Sequence, residues 1–120
     1  MTIKASMIIE MLGRPKEHLV EGMQLLISRL EKEKGARVIE KKFNEPIATE
    51  RDPDLFTTFA EVELELKSIM DYFGIIFAYM PSHIEIISPE KFSMSNADLN
   101  ELGNALVQRI HNYDAVTKNM

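Results

Sequence analysis

The residues with the clearest chemical potential are Glu61, Glu63 and Glu65, which alternate with Ala60, Val62, Leu64 and Leu66. If the segment is extended, its period of two puts the acids on one face, about 6.6–6.8 Å apart, and the apolar residues on the other. Glu10, Glu85 and His83 could approach from neighbouring strands. Together they would offer hard oxygen donors and one imidazole, a set suited to Mg²⁺, Mn²⁺ or Ca²⁺. The competing reading is a solvated sheet face balanced by Lys4 and Lys41, or an interface between subunits. Alternating glutamates are common on exposed strands, so no cofactor is expected.

A second chemical candidate is Gly13-Arg14-Pro15-Lys16, where two cations sit beside the start of a helical pattern. Backbone N–H groups and the dipole of a helix start favour anions, so Arg14 and Lys16 are candidate ligands for phosphate or carboxylate. Acylphosphatase binds phosphate at the corresponding loop, but this chain lacks that loop's glycine- and arginine-bearing sequence, so it resembles that enzyme in expected fold alone. His18, His83 and His111 show no metal-ligand spacing. The serines have no nucleophile-elbow context, and no phosphate-loop or dinucleotide glycine pattern occurs. Catalysis therefore has no positive sign. An enzyme would have to hold a small anionic substrate on Arg14 and Lys16 and draw a base from His83 or the carboxylate face.

These residues need elements to position them, and the pattern strand, helix, strand occurs twice, in 3–43 and 56–88. Ile3, Ala5, Met7, Ile9 and Met11 share one face of a strand over Ile3–Leu12, leaving Lys4, Ser6, Ile8 and Glu10 on the other. Pro15 suits a helix start. Leu19, Met23, Leu26 and Leu30 recur at helical spacing, Glu31–Lys34 reads as the last turn, and Gly35 as the terminator. Ala36–Phe43 is a polar strand whose charges suit a sheet edge. Asn44–Leu55, with Pro46 and Pro53, reads as a long, exposed, mobile connection.

Phe56–Leu66 gives the strongest strand signal, and Lys67–Met80 a helix apolar on so many sides that it is expected to be covered on more than one. Tyr72, Phe73, Phe77 and Tyr79 are assigned to core packing. Gly74, unfavourable inside a helix, predicts close approach by another backbone. Ser82–Ser88 is the last strand, with Ile84 and Ile86 inward. Ser95-Asn96-Ala97-Asp98 has the form of a capping box opening a helix over 95–114, with Leu99, Leu102, Leu106, Ile110 and Tyr113 on one face. A frayed tail is expected at 115–120.

Two such units predict an α+β fold, a ferredoxin-like βαββαβ plait over 1–90, with an antiparallel four-stranded sheet, both helices on one face and an added C-terminal amphipathic helix. The 120 residues suit a single domain. The segment Met80-Pro81-Ser82-His83-Ile84-Glu85-Ile86-Ile87-Ser88-Pro89-Glu90 is similar to the helix–strand–proline ending of the effector modules of WYL-type bacterial regulators. That resemblance assigns no residue a role.

Charge and composition limit the partners. The net charge is −5, with eight lysines and arginines against five acids in 14–42 and two against ten in 43–90. Arg29, Lys32, Lys34, Arg37, Lys41 and Lys42 make a basic corner, but Glu31, Glu33 and Glu40 interleave with it, so no nucleic acid is expected. No apolar run approaches the ~20 residues of a spanning helix, no cleavable leader is recognisable, and there is no cysteine. The expected location is cytoplasmic. The expected role is a non-catalytic binding or assembly module that self-associates through the bare sheet face or the last helix, with an unidentified protein or small molecule as further partner. On the sheet face, Ile8, Phe59 and Ile87 are the apolar anchors and Lys4 the charge that meets a partner's glutamate.

Overall fold

The computed structural model describes residues 2–118, with side chains in the last helix described as far as residue 115. The chain divides into two compact units, with the boundary in sequence between Glu90 and Lys91. Its class is α+β.

In the first unit, β1 (Ile3–Gly13), β2 (Ala36–Phe43), β3 (Ile47–Ala48), β4 (Phe56–Leu66) and β5 (His83–Ser88) build one sheet. Four strands run in the order β2-β4-β1-β5, every neighbouring pair antiparallel, and β3 pairs with the free end of β4. The helices are α1 (Lys16–Leu30) and α2 (Ile69–Tyr79). Period-two alternation is what builds the core: Ile3, Ala5, Met7 and Ile9 meet Ala60, Val62, Leu64 and Leu66 on the helix-facing side, none more than 2% exposed. Leu19, Met23, Ile27 and Leu30 of α1 close over them. At roughly 1.5–3 kcal/mol for each fully buried large aliphatic side chain, this layer is the main source of stability. The glutamates of β4 are turned the other way.

Four local expectations are corrected. The helix α1 ends at Leu30, because Lys32 and Glu33 donate to Arg29 and Leu30 three residues back and wind Glu31–Lys34 into a turn. Gly35 is not its terminator and has no positive φ. A Cβ there would run into the Asp71 carboxylate, which would have to shift to admit any other residue. The stretch 44–55 is ordered rather than a free connection. Ile47–Ala48 pair with Thr57 and Phe56, and the bend beyond is tied by Thr49 N to Leu55 O at 2.8 Å, Thr49 Oγ1 to Asp52 O at 2.8 Å and Asp54 N to Asp52 Oδ1 at 2.9 Å.

The fourth correction concerns α2. Of its broad apolar surface only Ile75 and Tyr79 are buried, while Phe73, Ile76 and Phe77 are half-exposed. Tyr72 and Phe73 pack edge to face at 5.3 Å. A Cβ on Gly74 would meet no atom within 4 Å, so no close backbone accounts for that glycine.

The second unit holds α3 (Asn96–Lys118). Asp98 N donates to Ser95 Oγ at 3.1 Å, the cap its sequence predicts. The helix continues past 114 to Lys118, so the frayed tail expected from 115 is helical through 118, and residues 119–120 lie outside the described part.

Candidate functional site

The outer face of the sheet is fixed by strand register. One row runs Arg37, Glu65, Lys4; the next Glu40, Glu63, Ser6, Glu85; the next Lys42, Glu61, Ile8, His83; then Phe59 beside Glu10; then Ile47, Thr57, Leu12. The acids and their neighbours do share this face. They do not converge. Glu10 stands beside Phe59, six positions along β4 from Glu65, or about 20 Å at the rise of an extended chain. Glu65 accepts from Arg37 at 2.6 Å, Glu61 lies 3.9 Å from Lys42, and Glu85 lies 3.6 Å from His83. Among the described residues no group of three His, Asp or Glu is placed to hold a metal ion.

The cations that balance the face are Arg37 and Lys42, and not Lys41. A register shift between Val38 and Glu40 turns Lys41 toward the helices, where Nζ meets Glu31 at 2.8 Å. The apolar anchors expected for an interface are present but separated: Ile8 sits between Glu61 and His83, Phe59 beside Glu10, and Ile87 is exposed on the edge strand. Lys4 is opposite Glu65 of its own chain.

At the β1–α1 junction, Pro15 caps α1 and its carbonyl accepts from the amides of His18 and Leu19. Arg14 donates to Asp52 at 3.2 Å, tying this junction to the bend after β3. The adjoining groove of about 280 Å³ is lined by Leu12, Arg14, His18 and Leu19, and Lys16 is not among its residues. Glu63 and Glu65 lie seven and nine positions along β4 from Phe56, which pairs with Gly13, hence about 23 and 30 Å away. One small molecule cannot touch both Arg14 and those acids.

The opposite end of the sheet is arranged differently. Lys34, Arg37 and Lys67 surround a cavity of about 410 Å³ with a single acid, Glu65, in its lining. Beside it, sharing Gly35 and Ala36, is a cavity of about 150 Å³ lined by Glu33 and Asp71. Those two acids are engaged: Tyr79 Oη donates to Glu33 at 2.8 Å, and Asp71 accepts from Ser68 Oγ at 2.9 Å while its amide donates back at 3.1 Å. Burial, then the hydrogen bond and charge of Glu33, push the Tyr79 phenol up to about 12.

The last helix carries a series of exposed apolar side chains. Leu99 is 56% exposed, Leu106 42%, Val107 49%, Ile110 56% and Tyr113 71%. No helix is long and apolar enough to cross a membrane among the described residues. A family model matches residues 4–118, across both units. The chain belongs to the MJ0538 family. Comparison with curated proteins and with solved structures gives no match. In this MJ0538-family chain the chemistry open to a partner or ligand lies on these surfaces.

Several residues of consequence escape a linear reading. Ser68 and Asp71 repeat the spacing of Ser95 and Asp98, and that signal was available in the sequence. The pairing of Arg14 with Asp52 and of Tyr79 with Glu33 joins residues 38 and 46 positions apart, which no local pattern announces. The gathering of Lys34, Arg37 and Lys67 depends on which strand ends the topology brings together.

Proposed function

We propose that this chain is a non-catalytic assembly module that self-associates through α3, built on a ferredoxin-like plait. The plait reading is supported by the order β2-β4-β1-β5: with β3 set aside, the strands of the two repeats interleave, and both repeat helices contact β4. The observation that carries the functional reading is the stripe Leu99, Leu102, Leu106, Ile110 and Tyr113, four of whose members are more than 40% exposed. Such a stripe on a helix of 23 residues is too costly to leave in water.

The occupant is the same helix of a second copy, running antiparallel. That arrangement pairs Leu99 with Tyr113 and Leu102 with Ile110 and places Leu106 on the two-fold axis. Charge supports it, since residues 96–107 carry two acids and no lysine or arginine, whereas 108–118 carry Arg109 and Lys118 against Asp114. Antiparallel helices also oppose their dipoles favourably. The sheet face is the weaker surface because its anchors are interrupted by charges already paired within the chain.

Light scattering over a concentration series tests this. The unaltered chain is expected to be a dimer, and Leu106→Glu a monomer, with dissociation at least about a hundredfold easier from the loss of two buried leucines. Phe59→Glu leaves the dimer intact. A monomeric unaltered chain, or a dimer that survives Leu106→Glu but not Phe59→Glu, removes the α3 reading.

A further inference from the structure

We propose that the cavity between Lys34, Arg37 and Lys67 binds a small phosphate monoester. Three separate segments supply the cations: the turn after α1, the start of β2, and the turn between β4 and α2. The frame that holds them is built, because Lys67 N donates to Gly35 O at 3.1 Å and Asp71, fixed on the Ser68 cap, fills the space a side chain at Gly35 would need. The backbone positions from which the three cations project are thus fixed.

Charge selects the ligand class. Arg37 is neutralised by Glu65 at 2.6 Å, while neither Lys34 nor Lys67 has an ion-pair partner among the described residues. Two uncompensated ammonium groups beside one cavity match a dianion, and a phosphate monoester carries about −1.5 to −2 at neutral pH. A single carboxylate would leave one lysine unmatched. The volume of about 410 Å³ is at the lower end of small-molecule sites and larger than a bare ion needs. Ala36 and Leu66 in the lining give the organic part of the ester an apolar wall. The nearest further acids, Glu33 and Asp71, are held in the neighbouring cavity by Tyr79 and Ser68. This site lies wholly within the first unit, so it stands or falls separately from association through α3.

Amide chemical-shift mapping at constant ionic strength tests the proposal, with glycerol 3-phosphate, inorganic phosphate and glycerol as probes. Glycerol 3-phosphate is expected to give saturable shifts concentrated at Gly35, Ala36, Arg37 and Lys67, inorganic phosphate weaker ones at the same amides, and glycerol none. Lys34→Gln with Lys67→Gln weakens the ester at least tenfold, while Lys16→Gln at the other end of the sheet leaves it unchanged. Both lysines are solvent-exposed, and the map on the unaltered chain decides the location without any variant. Shifts that fail to saturate, that scatter over all lysines, or that persist undiminished in the double variant overturn the site. Inorganic phosphate binding as tightly as the ester overturns the assignment to an ester.

Discussion

The hydroxyl of Tyr79 reaches Glu33 across the gap between α2 and the turn after α1, and this contact changes the chemistry of the phenol. Its pKa rises from 10.0 to about 12, first through burial and then through the hydrogen bond and charge of Glu33. The neutral phenol is the form the fold favours. A group whose folded pKa exceeds its unfolded value contributes stability that is complete below the unfolded pKa and lost as pH rises through the folded one, here between about pH 10 and 12. Tyr79→Phe is expected to cost about 1.5–3 kcal/mol at neutral pH, the range for a hydrogen bond to a charged acceptor. Urea unfolding at increasing pH should show the gap between the two proteins closing above pH 10. A gap that stays constant through that range would mean Glu33 does not hold the phenol neutral.

Element by element, the alternation of β1 and β4 was readable because it depends on nothing beyond neighbouring residues. The inward side of Ala60, Val62, Leu64 and Leu66 and the outward side of Glu61, Glu63 and Glu65 follow from period alone. The end of α1, the pairing of β3 and the role of Gly35 were not readable, since each depends on a partner far along the chain. Gly35 is the sharpest case: its local setting suggests a helix terminator, yet its neighbour is the Asp71 carboxylate, which accepts from the Ser68 hydroxyl that caps α2. Gly35→Ala must displace the Asp71 carboxylate and so lose the bond it accepts from Ser68 Oγ, an effect of about 1 kcal/mol. Asp71→Ala loses that same carboxylate bond directly, while the amide of residue 71 can still donate to Ser68 Oγ. The double variant should therefore be destabilised by clearly less than the sum of the two single changes in urea melts. Strict additivity would show that Gly35 and Asp71 do not compete for one space.

For the molecule as a whole, the decisive feature is where the buried residues lie. Every core side chain of the described residues, from Ile3 to Tyr79, belongs to the first unit, and α3 contributes none. A sheet of five strands with two helices and a continuous aliphatic layer has enough burial to fold alone, whereas an isolated amphipathic helix is marginal in water. With self-association proposed for α3, the two units have different tasks, a stable frame for the first and contacts with a second copy for α3, whose apolar stripe is exposed. A chain cut after Glu90 is expected to unfold cooperatively, with a melting temperature close to that of the full-length monomer, and to remain monomeric by light scattering at concentrations where the full chain is dimeric. The fragment should also keep the phosphate-ester shifts at Gly35 and Lys67, because no residue of that cavity comes from beyond Lys67. A fragment that melts without cooperativity would show that α3 completes the core, while a fragment that still dimerises would move the association surface back to the sheet.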